Sequence, residues 1–146
     1  MVGGILPKRK LPGCRILVVE DDYFIANDVS DFLSALDCDV VGPFSSIEDS
    51  LREIDHRLPD GAVLDVNVAG RAVYPLARVL MQRKVPLLFV TGYDSRNISQ
   101  TFKAVPHLTK PISANRLQNA VIQMILDAQM ADPANATPGK PIGFKR

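Results

Sequence analysis

The sequence predicts an α/β domain built on a doubly wound, five-stranded parallel sheet, and three observations predict it. Short β-branched apolar runs alternate five times with stretches of helical periodicity between Cys14 and Met130. Strands separated by helix-length connections pair in parallel, with helices covering both faces of the sheet. The chain has 146 residues, 47% of them hydrophobic and 23% charged, which suffices for one buried core but not for two.

The first run, RILVV at 15–19, suits a strand buried on both faces. Ile25, Val29, Phe32, Leu33 and Leu36 then share one face of a helix. Val40 and Val41 form a short second strand that Gly42-Pro43 is expected to stop. Ser45 or Ser46 caps the next helix, with Glu48 and Asp49 in its first turn and Ile47, Leu51, Ile54 and Leu58 as its apolar face. After the turn Pro59-Asp60-Gly61 comes AVLDV at 62–66, the third strand. Val73, Leu76, Ala77 and Leu80 mark the third helix, where Pro75 is tolerated only in the first turn. PLLFV at 86–90 is the fourth strand, 95–103 a weak helix and HLT at 107–109 a very short fifth strand. Ser113 caps a last helix carrying Leu117, Ala120, Val121, Met124, Ile125 and Ala128. Crossovers of this kind are right-handed.

Residues 1–13 and 131–146 lack periodicity and read as flexible tails around a domain at 14–130. No stretch approaches the roughly 18 apolar residues of a membrane span, and the N-terminus lacks the order of a secretory signal. The two cysteines, Cys14 and Cys38, form neither a disulfide framework nor a metal-ligand spacing, which fits reduced thiols in the cytoplasm. Thirteen acidic and two basic residues fall between Glu20 and Asp65, against three acidic and eleven basic after Val66. This polarity reads first as two solvated faces. No helix-turn-helix, zinc finger or aromatic-basic pattern accompanies the basic half, so nucleic acid is not an expected partner.

In open parallel sheets, ligands bind at the carboxyl ends of the strands. Here those ends carry Glu20, Asp21 and Asp22 after strand one, Asp65 and Asn67 after strand three, Thr91-Gly92 after strand four and Lys110-Pro111 after strand five. Both phosphate-binding glycine motifs, GxGxxG and GxxxxGK[ST], are absent. Crowded carboxylates drive one another toward the neutral form, and a divalent cation relieves this. All-oxygen ligands favour Mg²⁺ or Mn²⁺ over zinc. Each strand end alone reads as a solvated loop or helix cap. No folding requirement places all four together.

These residues resemble a bacterial response-regulator receiver domain, a flavodoxin-like, CheY-like (βα)5 fold. The matching stretches are RILVVEDDY (15–23), AVLDVNVAG (62–70), FVTGYD (89–94) and HLTKPI (107–112), so the resemblance spans about 14–130. It implies that Asp65 accepts a phosphoryl group from a sensor histidine kinase or a histidine phosphotransfer protein. It makes Asp21 a direct Mg²⁺ ligand, Glu20 a ligand through water and Asn67 the donor of a backbone carbonyl. Thr91 becomes the switch hydroxyl, and Lys110 the lysine preceding a proline, Pro111, whose bond is typically cis. Asp22 is not carried over as a ligand. The resemblance puts the partner surface on the fourth helix, fifth strand and fifth helix, and leaves a homodimer open. With no effector domain after residue 130, the receiver is expected to stand alone, its output a contact with a downstream protein or a phosphate relay.

The sequence departs from the family pattern in three places. His107 stands where an aromatic switch residue is usual, and a lone histidine on so short a strand reads first as half-buried packing. Ala69 replaces the usual proline after the phosphoacceptor, and the stretch from Thr91 to Lys110 is short. The FVTGYD stretch resembles the FATGUY receiver subgroup, in which Tyr93 would supply the missing ring. Two other readings compete. A Mg²⁺-dependent phosphohydrolase with an aspartyl nucleophile is disfavoured, because its usual DxD after strand one and its cap are missing. A degenerate receiver serving only as a binding module is disfavoured by intact Asp65, Asp21, Thr91 and Lys110. Tyr93 follows Thr91 by two residues, where a ring would shield a phosphoaspartate from water. Tyr93→Ala should therefore speed loss of the phosphoryl group, followed by intact mass over time, and an unchanged rate rejects the shielding.

Overall fold

The computed structural model describes residues 8–92 and 98–131. Five parallel strands make one sheet in the order β2-β1-β3-β6-β7, namely Asp39–Phe44, Arg15–Val19, Gly61–Asp65, Leu87–Thr91 and His107–Thr109. Among the described residues, four α-helices cover it: α1 (Tyr23–Ser34), α2 (Ile47–His56), α3 (Tyr74–Gln82) and α4 (Ala114–Ala131). This is the doubly wound α/β arrangement that the alternating pattern predicts. Ile16 and Val18 of β1 face one layer with Val29 and Leu33 of α1 and Leu117 and Val121 of α4. Leu17 and Val19 face the other layer, with Ile54 of α2 and Leu76 and Leu80 of α3. Successive strand residues point to opposite faces, so a strand buried on both sides must be apolar throughout. In RILVV and GAVLD every residue after Arg15 is buried, and all of these are apolar except Asp65, which closes its strand at the site end.

The caps follow the sequence. Ser46 Oγ accepts from Asp49 N at 3.1 Å, and Ser113 Oγ accepts from Arg116 N at 3.2 Å. Asp22 caps α1, its Oδ1 accepting from Phe24 N at 2.9 Å and Ile25 N at 3.1 Å. Pro75 lies in the first turn of α3, where its missing N–H costs no helical bond.

Three local features differ from the sequence reading. Strand β2 does not stop at Gly42-Pro43 but runs through this cis pair to Phe44. It is an edge strand, where proline is tolerated, and the register slips between Leu17↔Val41 and Val19↔Phe44. Gly42 has φ 104, and a Cβ there would lie 2.7 Å from Phe44 N, so only glycine fits. A short antiparallel hairpin, β4 (Asn67–Val68) and β5 (Arg71–Ala72), follows β3. Its turn residues Ala69 and Gly70 both have positive φ, 51° and 81°, as a type I′ turn requires. The fold also reaches further toward the N-terminus than the apolar pattern suggests. Leu11 is buried, and Leu11 N and Gly13 N donate to Leu36 O and Asp37 O at 2.7 and 3.2 Å.

The weak helix expected over 95–103 lies partly outside the described residues; within them it is a single 3-10 turn at Gln100–Phe102. An aromatic cluster that the sequence reading did not single out anchors this turn. Tyr74 stacks on Phe102 with ring centroids 5.0 Å apart, and Phe89 meets Phe102 edge-on at 5.8 Å. Tyr74 Oη accepts from Ser99 N at 2.9 Å. Phe102 is 1% exposed, so Phe102→Ala should destabilise the fold by about 3–5 kcal/mol. Urea unfolding would show this as a lower midpoint at an unchanged slope.

Candidate functional site

Each functional side chain comes from the carboxyl end of a strand of the sheet or the loop just beyond it. Glu20 follows β1, and its backbone N–H is held by Phe44 O of β2 at 2.9 Å. The bulge that carries β2 past Gly42-Pro43 is what brings Phe44 level with it. Asp65 closes β3 and lies beside Val90 of β6 in register. Thr91 pairs with Thr109, and Lys110 N donates to Thr91 O at 2.8 Å, tying the ends of β6 and β7 together. The Lys110-Pro111 bond is cis.

These strand ends converge. Lys110 Nζ lies 3.0 Å from Glu20 Oε1 and 3.3 Å from Asp65 Oδ2. Carboxylate oxygens of Glu20, Asp21 and Asp65 all lie within 4.8 Å of one another. Glu20 and Asp65 are buried and Asp21 is exposed. Backbone donors support the cluster: Asp22 N to Glu20 Oε2 at 3.1 Å, Asn67 N to Asp65 Oδ1 at 3.1 Å and Ala69 N to Asp21 Oδ2 at 3.0 Å. The last of these explains the β4–β5 hairpin's place in the site, because its left-handed turn presents an N–H to Asp21. Among the predicted residues, Glu20, Asp21, Asp65 and Lys110 thus meet directly. Thr91 is buried at the same rim, and Asn67 stands beside Asp65.

His107 does not meet them. It is exposed and pairs with Phe89, two rungs below Thr91, rather than packing half-buried as the sequence suggests. Strand β7 is an edge only three residues long, so the histidine has a strand neighbour on one side alone. Tyr93 lies outside the described residues. Tyr23 and Phe24 at the start of α1 are exposed and stack edge-on at 5.6 Å, so they belong to the rim and not the core.

Burial pushes the Glu20 carboxyl up to about 7, helped by its contact with Asp65 and opposed by Asp22 N and Lys110. Lys110 is raised as well: burial alone would lower it, but the hydrogen bond to Glu20 and the charge of Asp65 outweigh that. One ammonium therefore does not balance the negative charge gathered here. The donors are hard oxygens on buried and exposed carboxylates, which fits Mg²⁺ or Mn²⁺ bound through a few protein ligands.

The profile of the response regulator receiver domain matches residues 16–122. The chain belongs to this family. An uncharacterized response regulatory protein of Vibrio vulnificus is 31% identical over 109 residues, covering 72% of this chain and 45% of that protein. The solution structure of SdrG from Sphingomonas melonis Fr1 superposes with a TM-score of 0.66 at 33% identity, covering 81% of this chain and 95% of SdrG. The response regulator PhyR from Brucella abortus shares the fold, with a TM-score of 0.72 at 21% identity over 84% of this chain and 53% of PhyR. The receiver chain spans 28–50% of the length of the curated relatives it matches. Among the described residues, no helix is long and apolar enough to cross a membrane.

The raised Glu20 carboxyl has a consequence for stability. In the folded receiver Glu20 takes up its proton at about pH 7, against 4.5 for the ordinary group. Its contribution to stability is fully present below the lower value and is lost as pH rises through the upper one. With a chelator present, Glu20→Gln should raise the thermal midpoint relative to wild type more at pH 8 than at pH 5. An equal change at both pH values would contradict the raised carboxyl.

Proposed function

We propose that this receiver is a phosphoacceptor switch. It takes a phosphoryl group onto Asp65 from a phosphohistidine on a sensor histidine kinase or a histidine phosphotransfer protein. The observation that carries this reading is the placement of Asp65, buried at the end of β3 with Lys110 Nζ at 3.3 Å and the carboxylates of Glu20 and Asp21 close by. A carboxylate oxygen of Asp65 attacks phosphorus in line. The bond from phosphorus to the histidine nitrogen breaks, the nitrogen keeps the electron pair, and an acyl phosphate remains on Asp65.

Glu20, Asp21, Asp65 and the backbone carbonyl of Asn67 would hold Mg²⁺ or Mn²⁺. When bound, such an ion neutralises charge on the phosphoryl oxygens. The chain's own groups do the rest. Lys110 shifts its ammonium from Glu20 and Asp65 toward one phosphoryl oxygen. The Thr91 hydroxyl donates to another, and the backbone N–H of Asn67, just past β3, serves the remainder. Asn67 N already points at Asp65 Oδ1. Phosphorylation adds about 1.5–2 negative charges and strong acceptors. Thr91 and Lys110 are linked through their backbones, so their movement toward the new group biases the surface carried by β6, β7 and α4. A protein partner in the cytoplasm would read that surface.

Phosphotransfer from a phosphorylated histidine kinase or phosphotransfer protein tests the reading. In Mg²⁺, intact mass should show one phosphoryl group on the wild-type chain, with none on Asp65→Asn and none when the ion is chelated. Equal labelling of wild type and Asp65→Asn would overturn the assignment.

A further inference from the structure

The sequence alone separates Cys14 and Cys38 by an entire strand and helix, and nothing in their spacing links them. The fold brings them side by side. Cys14 precedes β1 and Cys38 precedes β2, one position before the paired residues Arg15↔Asp39. Asp39 N donates to Cys14 O at 2.8 Å, so the rung that opens the β1–β2 ladder closes directly on the two cysteines. Both belong to the same apolar cluster, with Leu11, Leu33 and Leu36. Neighbouring strands lie about 4.8 Å apart, within the usual Cα separation of a disulfide, about 4.4–6.8 Å.

The backbone on either side is strapped in place. Leu11 N and Gly13 N donate to Leu36 O and Asp37 O at 2.7 and 3.2 Å, fastening the approach to Cys14 onto the approach to Cys38. Cys14 N also donates to Leu11 O at 3.1 Å, and Cys38 N to Leu33 O at 3.2 Å. The two sulfurs are therefore presented by fixed chain and not by mobile loops.

The partners are chemically unequal. Cys14 is fully buried, whereas Cys38 is 7% exposed. The Cys14 thiol hydrogen-bonds Cys38 and draws its thiol below the ordinary value, while burial and the charges of Asp39, Asp37 and Asp60 act the other way. The thiolate is the nucleophilic form, and access decides which sulfur reacts first. Cys38 thus has the character of an attacking sulfur and Cys14 that of a resolving one.

We propose that Cys14 and Cys38 form a dithiol modification site that a small peroxide closes to an intramolecular disulfide. The Cys38 thiolate attacks one oxygen of hydrogen peroxide. The O–O bond breaks, hydroxide leaves and takes up a proton to become water, and Cys38 becomes a sulfenic acid. The Cys14 sulfur then attacks the Cys38 sulfur, losing its proton, and the sulfenic oxygen departs as a second water. The two thiols lose two electrons and the peroxide gains them. The site lies at the amino-terminal end of β1, whereas Glu20 follows its carboxyl-terminal end, so it is separate from the phosphoacceptor and does not depend on that assignment. The disulfide would join the ends of a loop containing β1 and α1.

Trypsin makes the test direct, because it separates the cysteines into peptides 11–15 and 16–52. The full reduced chain, freed of reductant, is treated with hydrogen peroxide under native conditions. Remaining thiols are alkylated in denaturant before digestion. The expected result is a linked species of these two peptides that disappears on reduction, from a chain that stays monomeric on non-reducing gels. Dimedone should label Cys38 in peroxide-treated Cys14→Ser. Recovery of both peptides singly alkylated overturns the proposal, as does a link that forms only after unfolding in urea or only between chains. The wild-type peptide map decides the question even if the serine variant fails to fold.

Discussion

Charge crowding at one end of the sheet organises this receiver. Glu20 and Asp65 are both buried and both within reach of one lysine, and the Asp21 carboxylate completes the cluster from the solvent side. Two unit charges 4 Å apart interact by about 4 kcal/mol at an effective dielectric near 20, so such a cluster persists only where the rest of the fold holds it. The holding is visible. Glu20 is tied at its backbone to β2, Asp21 to the turn of the β4–β5 hairpin, Asp65 to Asn67 N and Lys110 to β6. Every strand of the sheet contributes a group or a fastening, which is how a core with no polar chemistry of its own positions a polar site.

The hairpin after β3 has a double role in this arrangement. Its positive-φ turn delivers an N–H to Asp21, and Arg71 on its second strand pairs with Glu48 in the first turn of α2. Val68 is buried beneath it, and Val73 N donates to Val66 O at 2.8 Å, so the hairpin is clamped at its base. In the same core cluster, the Tyr74–Phe102 stack fixes the chain leading to β7. Strand β3, which ends in Asp65, is thus followed by an anchored connection, and so is β6.

Much of this was legible in the residue order because the controlling signals are local. Apolar runs of four or five residues define the central strands, and Ser46, Ser113 and Pro75 mark helix starts by their own hydrogen-bonding and torsional chemistry. The strand ends could be read for the same reason: Glu20, Asp65 and Thr91 each sit directly after an apolar run, and Lys110 follows the short HLT strand. What escaped depends on distant partners. Pro43 reads as a strand breaker until β2 proves to be an edge, and Ala69 reads as an ordinary loop residue until a two-residue turn forces φ to 51°. Leu11 looks like part of a tail until Leu36 and Asp37 are found waiting for its backbone. Tyr74 carries no sequence signal of its stack on Phe102, and the residue order does not show that His107 falls on an edge strand.

The alternation along β1 reaches beyond packing. Ile16 and Val18 serve one helical layer, Leu17 and Val19 the other, and Glu20 is the next residue in the same count. Losing or gaining one residue in this strand would swap the two apolar sets between layers and turn the first carboxylate away from Asp65 at once. Length variation in this lineage should therefore be confined to places outside that reading frame, such as the segment between Phe102 and His107, while β1 drifts by substitution alone. Core and site are written in one frame, and neither can shift without the other.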